Sequence, residues 1–328
     1  MKTPQGEYMS ERVERHVPVL LQDAIRYLNV RPGGTYVDAT LGFAGHSSEI
    51  ARVLGAEGRL IAFDRDPAAI EMASGKLETL RQQLGAAMPE VVLNDVEFSQ
   101  AAERLEPGSV DGLLADLGVS SMQLDQAQRG FSFQAEGPLD MRQNPRQGLT
   151  AEQVVNQAGE KELADLIYEF GEERRSRRIA RAIVRARPIT TTAELARIVA
   201  AAAPTMKQER TRHTIHPATR TFQALRIYVN GELSEIQALL AAAPKLLKPG
   251  GRLVVISFHS LEDRLVKDAM REGAQGGIYE VLTRKPVTAE AEETDRNPRS
   301  RSAKLRAAER TATVEAKKQV VAESRNFR

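Results

Sequence analysis

Residues 35–66 read TYVDATLGFAGHSSEIARVLGAEGRLIAFDRD, and the pattern is strand, glycine turn, helix, turn, strand. Tyr36 and Val37 begin an apolar strand that ends at Asp38, and Gly42 and Gly45 sit in the turn after it. Ser47 or Ser48 can cap a helix carrying Ile50, Val53 and Leu54, because a hydroxyl satisfies the unpaired N–H groups of a first turn. Gly55 and Gly58 end that helix, and Leu60, Ile61, Ala62 and Phe63 form a second buried strand ending on Asp64. This is one βαβ half of a doubly wound α/β sheet. Such sheets bind ligands at the carboxyl ends of their strands, where Asp38, the turn and Asp64 all fall. Glycines let the backbone approach a ligand closely, and a carboxylate ending the second strand can take both hydroxyls of a ribose. The stretch thus describes a pocket for an adenosine-containing cofactor and leaves its identity open. The pyrophosphate-binding turn G-x-G-x-x-G is incomplete in TLGFAGH, and an ordinary tight turn is the plain alternative.

Composition sets bounds on the rest. A chain of 328 residues makes one large or two ordinary domains, and 41% hydrophobic content suffices for a core. There is no cysteine, which excludes disulfides, thiolate metal ligands and a cysteine nucleophile, and fits a reducing cytoplasm. The start, MKTPQGEYMSERVERH, lacks the apolar core of a signal peptide, and no run of about 18 apolar residues is long enough to span a membrane. The net charge of +2 means that a nucleic-acid surface must come from local clustering.

Residues 1–15 are charged and expected to be loose. His16–Leu28 reads as a docking segment leading into an amphipathic helix. After the second strand Pro67 opens a helix, Val91–Leu93 is a third strand, and Val110–Ala115 a fourth that ends at Asp116. The α/β alternation then stops. From Ser120 to about His213 helices are expected near 150–157, 160–170, 172–186 and 192–203, as a helical domain inserted after the fourth strand. The expected partition is 1–122 with 214–328, and 123–213. A long helix from about Pro217 to Ala243, a fifth strand at 252–258, a helix from Leu261, and two extended stretches at 278–288 and 302–312 complete the chain. Two strands joined without a helix form an antiparallel pair. Five parallel strands closed by such a pair make the sheet of class I methyltransferases. This topology, more than the glycine turn, shifts the expected cofactor from NAD to S-adenosylmethionine.

Three motifs could carry chemistry. LLADLGVSSMQLD at 113–125 leaves the fourth strand with Asp116 at its end, Gly118 in the turn, and Ser120 and Ser121 offering hydroxyls or helix caps. An exocyclic amine attacking a methyl group needs acceptors that orient its lone pair more than it needs a strong base. RRSRRIARAIVRAR holds seven arginines, at 174, 175, 177, 178, 181, 185 and 187, in fourteen residues with no acid, a density suited to phosphates. Arg296, Arg299, Arg301, Lys304 and Arg306 add a second basic stretch, while aromatics are few, with Phe131 and Phe133 a close pair in the insert, so a stacking platform is not expected. SFHSLEDR at 257–264 places His259 at the carboxyl edge of the sheet. His213 and His216 lack a third ligand, so no metal site is expected.

At these motifs the sequence resembles the bacterial MraW (RsmH) family, the cytosine-N4 methyltransferases of small-subunit ribosomal RNA. HVPVLL (16–21), GHS (45–47), DRDP (64–67), DLGVSS (116–121) followed by QLD (123–125), RGFSF (129–133), GPLDMR (137–142), FGEER (170–174), HPATRTFQALRI (216–227), VISFHSLEDR (255–264) and NPRSRSAKLR (297–306) carry the resemblance. It spans residue 16 to about 310. It implies an inserted helical substrate domain, S-adenosylmethionine as donor, and a cytidine of the 16S decoding region as target, within the small subunit, with a homodimer allowed. By motif, donor contacts fall on Ala44, Gly45, His46, Asp64, Phe98, Asp116 and Gln123. Asp116, Ser120 and His259 are the catalytic candidates, and Arg174, Arg175, Arg178 and Arg181 the RNA-binding ones. Phe43 and Ala44 stand where the family often reads Arg-Gly, and Met122 where it has proline; neither removes a needed polar group. The loop after Asp116 also differs from the Asp-Pro-Pro-Tyr type of DNA amino-methyltransferases, so no role transfers from those enzymes. The competing readings are an RNA-binding assembly factor on the same fold and an NAD-dependent dehydrogenase.

Overall fold

The computed structural model of the chain describes residues 18–146, 148–203 and 216–312. The N-terminal residues expected to be loose, His16 and Val17 of the docking segment, and His213 lie outside these. Contacts divide the chain into two units, Met1–Gly118 with Glu235–Arg328, and Val119–Ser234.

The first unit is built on βα repeats. Helix α1 (Leu21–Leu28) leads to β1 (Thr35–Asp38), α2 (Gly45–Leu54), β2 (Arg59–Asp64), α3 (Pro67–Leu84), β3 (Glu90–Asp95), the single turn α4 (Ala101–Arg104) and β4 (Val110–Asp116). The seven-stranded sheet runs β3-β2-β1-β4-β5-β7-β6, with β5 at Leu247–Ser257, β6 at Tyr279–Val281 and β7 at Lys304–Arg310. The first five strands are parallel, and β7 is antiparallel to both β5 and β6. The expected sheet, five parallel strands closed by an antiparallel pair, is present.

The strands read as unbroken apolar runs because helices cover both faces of a parallel sheet. Tyr36, Leu54, Leu60, Leu114, Val254 and Ile256 meet in one core. Helix α3 starts where expected: Asp66 accepts the Ala68 N–H at 3.1 Å, and Pro67 occupies the first helical position, where no N–H is needed. The docking reading of the segment before α1 also has a physical basis. Val19 and Leu20 are buried, and the Leu20 N–H donates to Glu293 Oε1 at 2.8 Å, from helix α13 (Ala291–Arg296).

The second unit is helical: α5 (Ser121–Asp125), α6 (Ala151–Gln157), α7 (Glu160–Gly171), α8 (Ser176–Ala186), α9 (Thr192–Ala202) and α10 (Thr219–Asn230). Leu163, Ile167, Ile179, Ile183, Leu195, Val199, Phe222 and Leu225 form its core.

Two expectations are corrected by the fold. The single helix expected from Pro217 to Ala243 is two, α10 and α11 (Glu232–Leu246), because Gly231 takes a left-handed φ of 59° and ends the first. The apolar stripe of α10 then joins the helical core, so residues 216–234 belong with the insert, and the unit boundaries lie at 118/119 and 234/235 rather than 122/123 and 213/214. Helix α12 (Ser260–Gln275) follows β5 in the first unit.

Candidate active site

Four strands of the first unit end on an aspartate, Asp95 on the edge strand β3 and three others nearer the middle of the sheet. Strand order reverses between β1 and β4, and crevices at such a switch point hold ligands. Asp38 ends β1, Asp64 ends β2 and Asp116 ends β4. Asp38 is buried; its Oδ2 accepts the Ser47 hydroxyl at 2.6 Å and its Oδ1 the Thr40 N–H at 3.1 Å. Burial nevertheless pushes its carboxyl above the usual range. Asp64 accepts the Gly42 N–H at 2.9 Å on Oδ2 and the Asp66 N–H at 2.9 Å on Oδ1. Burial outweighs these bonds and moves it up to about 6. Asp116 is raised well above its ordinary value by burial, then by the charges of Asp38 and Glu262. Its Oδ1 is enclosed with no hydrogen-bond partner.

The turn between β1 and α2 approaches these acids with its backbone. Gly42 and Ala44 both take left-handed φ values, 49° and 53°, and Ala44 is the N-cap residue of α2. Neither serine caps this helix, contrary to expectation. Ser47 turns its hydroxyl back to Asp38, and Ser48 donates to the Ala44 carbonyl at 2.5 Å. The first-turn N–H groups of α2 therefore have no side-chain cap, an arrangement suited to an anionic group. Gly45 is fixed by close approach: a Cβ there would lie 2.3 Å from Pro18 Cγ. His46 is buried, with Nε2 3.2 Å from the Val19 carbonyl and Nδ1 3.6 Å from Asp116 Oδ2.

Among the other candidates, Phe98 lies in the 3₁₀ turn after β3, half-buried. His259 is the N-cap of α12, with Nδ1 accepting the Glu262 N–H at 3.4 Å, while Glu262 Oε2 accepts the N–H groups of Phe258 and His259 at 2.8 and 3.2 Å. Ser120 and Gln123 form the equivalent box on α5, in the second unit: the Ser120 hydroxyl accepts the Gln123 N–H at 3.3 Å, and Gln123 Oε1 the Ser120 N–H at 3.0 Å. Both serve a helix terminus before any chemistry. The first unit thus brings Ala44, Gly45, His46, Asp64 and Asp116 to one sheet edge and couples Glu262, which no sequence signal singled out, to Asp116.

The arginine run occupies α8 and the turn before it. Arg174, Arg177, Arg178, Arg181 and Arg185 are exposed, and Arg175 is half-buried as the N-cap residue. The run has no acid in sequence, but α7 supplies one in space: Arg181 lies 3.3 Å from Glu160. Arg187 is structural, donating to the carbonyls of Val155 and Ala158 at 2.7 and 2.6 Å. The second basic stretch is partly structural as well. Arg306 is buried and pairs with Asp263 at 2.6 Å, and Lys304 reaches the same carboxylate at 3.4 Å. The aromatic reading also changes. Phe133 neighbours His216 and Phe222, with ring centroids 4.7 and 4.8 Å apart, and Phe170 lies 6.3 Å from Tyr228.

Residues 13–311 match the MraW methylase family. The chain is 76% identical over 297 residues to a ribosomal RNA small subunit methyltransferase H of Acidobacterium capsulatum, covering 90% of this chain and 99% of that one. It is 62% identical over 307 residues to the protein of the same name from Koribacter versatilis, covering 94% and 97%.

Proposed function

The chain belongs to the MraW methylase family, and on that premise we propose that it transfers a methyl group from S-adenosylmethionine to the N4 amine of one cytidine in the decoding region of 16S ribosomal RNA. S-adenosylmethionine-dependent methylation of small-subunit ribosomal RNA follows from the family and its named members. The cytidine, its N4 amine, and the small subunit as the form in which the RNA is met are inferred.

The residues present fit the donor. The observation that carries the reading is the convergence of Asp64, Asp116 and the left-handed turn at 42–46 on one sheet edge. Asp64 would take the ribose hydroxyls, and the uncapped N–H groups of α2 an anionic end. The enclosed, unpartnered Asp116 Oδ1, in acidic surroundings, suits a cationic group. When bound, the donor supplies an electrophilic methyl on a sulfonium.

The remaining work is orientation. The cytosine amine is a weak nucleophile because its lone pair is delocalised into the ring, so rate comes from holding it in line at near-attack distance. Asp116 would position donor, amine or both, with Ser120 and His259 in supporting places set by their caps. The exposed arginines Arg174, Arg178 and Arg181, with Arg175, would bind phosphates, offsetting the few kcal/mol needed to unstack a base.

Calorimetry with S-adenosylmethionine and NAD, followed by transfer of labelled methyl to small-subunit RNA, tests the reading. Binding of the first ligand alone, with label on cytidine N4, is expected. A chain that binds RNA but neither ligand would be an assembly factor instead.

A further inference from the structure

His46 stands on the first turn of α2, and its ring is oriented from both sides. Nε2 faces the Val19 carbonyl at 3.2 Å. A carbonyl only accepts, so Nε2 carries the hydrogen. Nδ1 then points to Asp116 Oδ2 at 3.6 Å. A neutral imidazole protonated at Nε2 offers only a lone pair at Nδ1, and an ionised carboxylate offers only lone pairs too. Asp116 Oδ1 is enclosed without a partner, and the charges acting on Asp116 are acids, Asp38 from β1 and Glu262 from α12. Asp38 is itself coupled to Asp64 from β2. Asp116 is half-buried, and a carboxylate with one oxygen enclosed among acids holds a proton or borrows a cation; His46 is the group in position to share one.

We propose that His46 and Asp116 share one proton in the donor-free chain, and that binding of the cationic donor releases it. The proposal rests on the reading of this edge as the donor pocket. The balance is simple. One N–H or O–H bond at the pair breaks, the proton passes to solvent, and the pair goes from neutral to singly negative. His46 is thereby a positioning residue, acting on the donor through the charge state of Asp116. The Val19 carbonyl keeps the ring in register while the proton leaves.

Calorimetric titration of the full chain with S-adenosylmethionine, near pH 7 in phosphate and in Tris, counts the released protons from the difference in observed heat. The parent should release about one proton per donor, and its affinity should rise about tenfold per pH unit up to the pair's midpoint. His46→Gln and Asp116→Asn should each bind donor with close to no release. Heats independent of buffer in the parent, or undiminished release in either folded variant, overturn the proposal.

Histidine NMR on the donor-free chain is the second arm and needs no donor. The His46 ring should stay protonated at Nε2, and its titration should shift in Asp116→Asn. An identical titration in parent and variant overturns the proposal. If the variants do not fold, the parent's two-buffer comparison decides. A parent that binds no donor refutes the pocket reading instead, and the NMR arm then judges the pair alone.

Discussion

Asp64 accepts two backbone N–H groups, one on each carboxylate oxygen, and each oxygen keeps a second lone pair. Removing it as Asp64→Ala should cost about 1.5–3 kcal/mol of charge-assisted bonding to the donor, hence roughly one to two decades of affinity. Calorimetry on the folded variant checks this. Asp64 also sets a pH dependence in the donor-free chain. Its folded value of about 6 lies above the ordinary carboxylate value of 3.8, so the folded state binds the proton more tightly. The parent should therefore lose stability as pH rises from about 4 to about 6, by on the order of 2 kcal/mol. Denaturant titrations across that window should show the loss, and Asp64→Asn should make it smaller, leaving the share of Asp38 and Asp116, which are raised as well. At the reaction centre, Asp116→Asn should lower single-turnover rate more than tenfold at saturating donor and RNA, and Ser120→Ala and His259→Ala should do less, because their polar atoms mainly serve caps. A His259→Ala enzyme slower than Asp116→Asn would move the centre to the β5–α12 loop. The acids at the strand ends were legible because apolar runs terminate on them. The role of Ser47 was not, because its hydroxyl partner, Asp38, stands nine residues back and is reached only once the turn is folded.

Among the elements, helix α8 shows what a charge run leaves out. Its apolar face, Ile179, Ala180 and Ile183, is buried, and its arginines project away from it. No local pattern announces that α7 sets Glu160 beside Arg181, since twenty-one residues separate the pair. Reversing Arg174, Arg175, Arg178 and Arg181 to Glu should still weaken RNA binding and reduce its salt slope, by about 0.7–0.9 for each phosphate no longer neutralised. Donor affinity should be unchanged. Filter binding across a salt series and calorimetry with the donor read the two effects, and an unchanged slope would make the run a solvated face. The break between α10 and α11 was missed for a related reason: apolar residues continue past Gly231 at helical spacing, and only its left-handed φ ends the helix. A sharper dependence on glycine occurs in the insert's loop. Gly130 has a φ of 71°, and a Cβ there would lie 2.2 Å from the Pro138 carbonyl oxygen. Gly130→Ala should destabilise the chain by about 1–3 kcal/mol, measurable as an earlier thermal unfolding transition.

For the molecule as a whole, the alternation of strands and helices was enough to foresee the sheet and the terminal antiparallel pair, because each buried strand declares itself by an apolar run and each crossover by its length. The partition into units was less legible. Its second boundary depends on which core takes the apolar face of α10, and a helix with one such face reads the same against either. The proposed function turns on the RNA, and mass mapping of small-subunit RNA from cells with and without this chain decides it. One cytidine in the decoding region should lose its N4 methyl when the chain is absent, and regain it with the parent chain but far less with Asp116→Asn. A methylation map that is the same with and without the chain would contradict the proposed reaction.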